Sequence, residues 1–173
     1  MPGIDVSRAF VPLRVVVLTL TDTRSEAEDR SGAYLVEAVQ NAGHRLIAKR
    51  ILPDERALIE AELRAHVGDP EVDVVLTTGG TGITRRDVTP EAVQAVLDKE
   101  LPGFGELFRA LSVQSVGTSA IQSRALGGVA GQTLIFALPG STGACRDAWE
   151  GILVHQLDAR YRPCNFAELL PRL

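Results

Sequence analysis

The chain has 173 residues, of which 45% are hydrophobic and 23% charged, and its net charge is −4. This balance excludes a disordered chain, and the length suits one domain, residues 1–173, burying roughly 70% of its unfolded surface. The acidic total and the lack of a basic stripe argue against nucleic-acid binding, and no apolar run reaches the ~20 residues that span a bilayer.

The N-terminus has no charged segment followed by an apolar one, so no secretory signal is expected. Two cysteines, Cys145 and Cys164, make no disulfide framework, and a reduced, cytoplasmic setting follows. His44, His66 and His155 are scattered without zinc-ligand spacing and read as surface or locally bonded side chains.

Residues 1–12 read as an N-terminal arm, loosely held or packed on a neighbour. RVVVLTL (residues 14–20) is a first buried strand. It runs into a hydroxyl-rich loop at 21–25 and a charged, mobile stretch at 26–30. A helix is predicted over 31–42, with Leu35, Val36, Val39 and Ala42 on one face and Gly43 closing it. Residues 44–52 form a second strand. Asp54 can then cap a helix over 55–67 whose stripe is Leu58, Ile59, Leu63 and Val67.

The third strand, residues 72–76, is nearly continuous in β-branched and apolar side chains and ends in Thr77 and Thr78. Gly79, Gly80 and Gly82 bracket Thr81, so backbone N–H groups there are open to a ligand. Arg85, Arg86 and Asp87 follow, then Thr89 as an N-cap and Pro90 as the first residue of a helix over 90–99. The segment from Leu101 to Glu106 (LPGFGE) breaks that helix, and a further helical piece carries Leu107, Phe108 and Leu111. Ser119 and Ser123 lie in polar islands. A hairpin pairs 126–130 with 133–138 across Gly131-Gln132, and its second strand ends in another glycine loop, Pro139-Gly140-Ser141-Thr142-Gly143. A last helix carries Trp149, Ile152, Leu153 and Leu157. The tail, 160–173, reads as irregular.

Alternation of strands and helices predicts a mostly parallel sheet with helices on both faces. Ligands bind such sheets outside the carboxyl ends of the strands. Four loops meet there: residues 21–25, 53–54, 79–87 and 139–143. The glycine loop is not a P-loop, since Gly82 is followed by Ile83 and Thr84, and it lacks the third glycine of a dinucleotide fingerprint. Asp54 and Asp87 are hard oxygen ligands suited to Mg²⁺ beside phosphate. Loop N–H groups hold phosphate oxygens, and Arg85 or Arg86 neutralises charge on a transferring phosphoryl group. No Ser–His–Asp or Cys–His order points to acyl transfer. Phosphoryl or nucleotidyl transfer is the chemistry these parts suit. Each residue also has a plainer role: Asp54 as a helix cap, Asp87 as an ion-pair partner of Arg85 or Arg86, Ser141 and Thr142 as caps, and Glu106 as a solvated helix residue.

The run TTGGTG…RDVTPEA, with PDE upstream, PGFGE and TS…SRALGG downstream and ALPGST near the end, resembles the molybdenum cofactor biosynthesis MoaB/Mog family. The resemblance covers residues 14–166, and FVP, STGACRDAWE and RPCNF look closer to the MoaB branch. It implies a three-layer α/β/α fold around a mixed, mainly parallel sheet, and a homo-oligomer, trimer or hexamer. It also implies Mg²⁺-dependent adenylylation of molybdopterin by ATP, with release of pyrophosphate and hand-over to a molybdenum-insertion enzyme. On the matching motifs, Asp54 and Asp87 are the catalytic, Mg²⁺-positioning residues. Gly79, Gly80, Thr81, Gly82, Pro139, Gly140 and Ser141 bind substrate or nucleotide, with Glu106, Ser119 and Ser123 on the pterin side. The competing class is a non-catalytic molybdopterin-binding or scaffold protein of the same pathway. Transfer to another phosphorylated small molecule is a third reading.

Overall fold

The most apolar stretches of the sequence lie at the centre of one sheet. The computed structural model describes residues 1–173. Its strands are β1 (Gly3–Ile4), β2 (Arg14–Leu20), β3 (Arg45–Leu52), β4 (Val74–Thr78), β5 (Lys99–Glu100), β6 (Leu126–Ala130), β7 (Thr133–Leu138) and β8 (Tyr161–Arg162). Its helices are α1 (Arg30–Asn41), α2 (Arg56–Val67), α3 (Thr89–Gln94), α4 (Pro102–Val116), α5 (Thr142–Ala148) and α6 (Val154–Gln156).

Six strands form a mixed sheet in the order β3-β2-β4-β7-β6-β5. β2 runs parallel to β3 and β4, and β4 parallel to β7, while β6 runs antiparallel to both of its neighbours, β7 and β5. Side chains alternate across the pleat. Val15, Val17, Leu76 and Phe136 pack on one face with Leu35, Phe108 and Trp149. Val16, Leu18, Val75 and Ile135 pack on the other with Ile59, Leu63 and Val93. Two apolar layers on one sheet make the expected three-layer α/β/α fold.

Several local expectations change. The arm is not loose: β1 pairs antiparallel with β8, and the Arg8 guanidinium donates to the Ala159 carbonyl at 2.7 Å and pairs with Glu168. The terminal segments therefore hold each other. Leu58 is exposed, leaving Ile59 and Leu63 as the buried stripe of α2. α3 stops at Gln94 because Lys99 and Glu100 are drawn into the sheet beside β6. LPGFGE opens α4, with Pro102 in its first turn where the missing N–H costs nothing. A π-helical turn, Trp149–Leu153, lies between α5 and α6.

Residues 26–30 form a 3₁₀ turn, Glu26–Glu28, and then a buried cap at Asp29. Asp29 accepts from the Gly32 N–H at 2.9 Å and the Thr19 hydroxyl at 2.7 Å, and the Lys49 ammonium lies 3.0 Å away. Burial alone would push its pKa up, but these three partners hold it below the ordinary 3.8. A lowered folded value means the stabilisation is present above the unfolded value and is lost as pH falls through the folded one. Unfolding followed against pH should therefore show stability falling below about pH 3.8. Asp29→Asn should be less stable at neutral pH, by ~1–3 kcal/mol for the lost charged partner of Lys49 and the weakened cap, and should show a shallower acid limb. An unchanged acid limb in that variant would assign the acid sensitivity elsewhere.

Candidate functional site

A cleft of about 730 Å³ opens at the carboxyl ends of β2, β4 and β7, as parallel topology requires. Thr21, Thr23 and Arg24 line it after β2, Gly79 to Gly82 and Asp87 after β4, and Pro139, Gly140 and Ser141 after β7. The far wall comes from α4 and the turn after it, through Phe108, Ser112, Ser115, Ser119 and Ser123. Arg146 and Asp147 of α5 close one side.

The glycine loop is tied from behind. Gly79 sits at φ +110°, a conformation open to glycine alone at little cost, and its N–H donates to the Leu138 carbonyl at 3.0 Å. The Thr89 hydroxyl donates to the Gly79 carbonyl at 2.9 Å, and the Thr89 N–H to the Gly80 carbonyl at 3.1 Å. Thr89 thus lies inside α3, whose N-cap is Val88, and serves the loop instead of capping the helix.

Asp54 lies directly behind Gly80: a Cβ on Gly80 would stand 2.9 Å from its Oδ1. That oxygen is buried and has no hydrogen-bond partner. The side chain does not cap α2, whose N-cap is Glu55. Burial and then the neighbouring Asp22 carboxylate raise its pKa, with Asp87 adding to the effect against Arg86. An anionic oxygen held there without a donor is the environment that a cation satisfies.

Asp87 lies on the cleft with its carboxylate against Gly82. The Thr84 N–H donates to it at 2.8 Å. Burial raises its pKa, but the Thr84 and Gly82 hydrogen bonds outweigh this and keep it lowered and ionised. It pairs with neither Arg85 nor Arg86. Arg86 instead holds Asp22 through two bonds, at 2.8 and 2.9 Å, and Asp22 accepts from the Asp54 N–H at 3.0 Å.

No group of three or more His, Cys, Asp or Glu side chains is arranged to ligate a metal by itself. Two carboxylates completed by water and phosphate oxygens are the usual Mg²⁺ arrangement, and the unpartnered Asp54 oxygen beside ionised Asp87 fits it. Ser141 caps α5, accepting from the Ala144 N–H at 3.2 Å, while also lining the cleft. The Arg24 guanidinium donates to the Gly140 carbonyl at 3.0 Å, linking two of the loops.

Asp54, Arg85 and Arg86 are not among the residues lining the cleft, and Glu106 stands apart from it altogether. Glu106 lines a small separate cleft with Glu100, Leu101 and Arg109. On α4 the residues facing the main cleft, Phe108, Ser112 and Ser115, follow the four- and three-residue spacing of one helix face, and Glu106 lies round the helix from them. Sequence reasoning did not single out Asp22, Arg24, Ser112, Ser115, Arg146 or Asp147. Asp22 and Arg24 were inside a loop assigned to the site. The spacing of residues 108, 112 and 115 was the available signal for the α4 wall.

The family described as a probable molybdopterin binding domain matches residues 15–159. The chain is 52% identical over 162 residues to molybdenum cofactor biosynthesis protein B of Escherichia coli strain K12, covering 94% of this chain and 95% of that one. It is 47% identical over 146 residues to the Bacillus cereus protein of the same name, covering 84% of this chain and 86% of that one. A crystal structure of molybdenum cofactor biosynthesis protein B superposes with a TM-score of 0.84 at 46% identity, over 87% of this chain and 94% of that chain. The tungsten cofactor synthesizing protein MoaB from Pyrococcus furiosus superposes with a TM-score of 0.74 at 37% identity, over 82% of this chain and 91% of that chain. On sequence motifs, fold and these similarities together, the chain belongs to the molybdenum cofactor biosynthesis MoaB/Mog family.

Proposed function

We propose that this protein adenylylates molybdopterin with MgATP, releasing pyrophosphate. The observation that carries this reading is the buried, unpartnered Asp54 oxygen behind Gly80, with ionised Asp87 on the same loop. In the reaction, an oxygen of the molybdopterin phosphate attacks the α-phosphorus of ATP. The bond from that phosphorus to the bridging oxygen breaks, and pyrophosphate leaves. The attacking phosphate is already anionic, so the absence of a histidine base at the cleft is no obstacle.

The protein's work is positioning and charge compensation. The glycine loop offers backbone N–H groups to phosphate oxygens. Arg24, anchored on Gly140, brings a cation to the same region. Asp54 and Asp87 would hold Mg²⁺, which supplies charge neutralisation for the triphosphate and the leaving pyrophosphate. Ser119 and Ser123 on the α4 side offer hydroxyls to a polar ring system. The exposed apolar residues Val113, Val116 and Ile121 support the homo-oligomeric state.

The test is pyrophosphate release from MgATP by purified protein, with and without molybdopterin, beside equilibrium pterin binding. Release that needs both Mg²⁺ and molybdopterin, and that Asp87→Ala lowers about 10²-fold or more, is the expected result. Tight pterin binding with no release would replace the transferase by a binding or scaffold protein.

A further inference from the structure

We propose that Arg124 is the positioning residue that sets the shape of the glycine loop and the place of Asp87. The proposal rests on the transferase reading above and adds a residue to it. Arg124 precedes β6, far from β4 in the chain, yet it reaches four oxygens around the loop. Its main-chain N–H donates to the Thr81 carbonyl at 2.9 Å. Its Nε donates to the Gly82 carbonyl and its Nη2 to the Asp87 carbonyl, each at 2.7 Å. Its Nη1 pairs with Glu91 in α3.

The four carbonyls of the glycine turn all have protein donors. The carbonyls of Gly79 and Gly80 are taken by Thr89, and those of Thr81 and Gly82 by Arg124. With all four held by protein donors, the carbonyls are fixed in orientation and one lone pair of each is engaged within the protein. One planar guanidinium also grips both ends of the 82–87 segment, which is closed within by the Thr84–Asp87 contacts and tied outward by Arg86 to Asp22. A fixed fork can do this where a flexible point charge cannot. Glu91 leans on the same residue: its second oxygen is buried without a partner, and Arg124, ahead of the Glu91 N–H and Arg56, offsets its burial and lowers its pKa.

Two roles can be separated. Arg124 could act only as the counter-charge of Glu91, or it could define loop geometry. Arg124→Lys keeps the cation for Glu91 but loses the fork. Under the proposal this variant stays folded, its amides over residues 79–89 exchange faster with solvent, and transfer falls about 10²-fold per folded molecule, mainly in kcat. Arg124→Ala with Glu91→Gln, which removes the stranded charge, should recover stability without recovering the rate. Loop exchange at the wild-type rate in Arg124→Lys overturns the proposal. So does full transfer per folded molecule in either variant. If wild-type protein releases no pyrophosphate, the transferase reading fails separately, and amide exchange together with equilibrium molybdopterin binding decides the role of Arg124: faster exchange with weakened binding supports it, and wild-type values for either overturn it.

Discussion

Asp54→Asn is expected to lose adenylyl transfer by about 10²–10³-fold while unfolding at a higher temperature than wild type. The first part follows from the electrostatic role: a preorganised charge at the reacting phosphates is worth that much when removed. The second part follows from what surrounds the carboxylate. Burial, then Asp22 and Asp87, raise its pKa, and one oxygen has no partner. A raised folded value means the group's stabilisation is complete below the ordinary 3.8 and is lost as pH rises through the folded value. At neutral pH the ionised group therefore destabilises the apoprotein, and the neutral amide relieves it. A gain of ~1 kcal/mol corresponds to a Tm rise of about 2–4 °C in a chain of this size. Saturating MgATP should raise the wild-type Tm but barely move that of the variant. Steady-state kinetics and thermal unfolding, each with and without MgATP, check this. A variant with wild-type rate would remove Asp54 from the reaction, and a lowered Tm would show that the hydrogen bond from the Asp22 backbone outweighs the burial of the charge.

Gly79→Ala should be the most damaging small substitution at the site. Its φ of +110° lies where a β-carbon is strained, at a cost of about 1–3 kcal/mol. The new methyl would also overlap the Leu20 carbonyl oxygen at the end of β2, which is backbone and cannot rotate aside. Forcing that separation adds about 1–3 kcal/mol. The expected total is roughly 2–6 kcal/mol, read by denaturant unfolding. Because the displaced backbone carries the Thr89–Gly79 bond, the folded fraction should also bind molybdopterin more weakly. Gly143→Ala serves as the control, since its β-carbon would meet no atom within 4 Å. Equal stability of the two variants would sink the argument.

Much of this architecture was legible in the chain itself. β2, β6 and β7 fall on the predicted residues, because continuous apolar runs between turn residues leave little choice but a buried strand. Alternating strands and helices fixed the parallel centre of the sheet and so the end at which the loops converge. Gly79 to Gly82, Asp87 and Pro139 to Ser141 meet at one cleft for that topological reason. Local reading failed where a distant partner decided the outcome. Lys99 and Glu100 leave the helical pattern because β6 offers an edge to pair with. Thr89 gives up its cap position to bond Gly79, and LPGFGE starts a helix despite its two glycines. Glu106 carries no address in sequence, since which side of α4 faces the cleft depends on how the helix packs against Phe136 and Trp149. The sequence by itself determined the central strands and the two glycine loops at their carboxyl ends. Only the tertiary structure decided which charges meet: Asp22 takes Arg86, Asp54 is left unpartnered, and Arg124 reaches the loop, because pairing across tens of residues follows from packing and not from spacing.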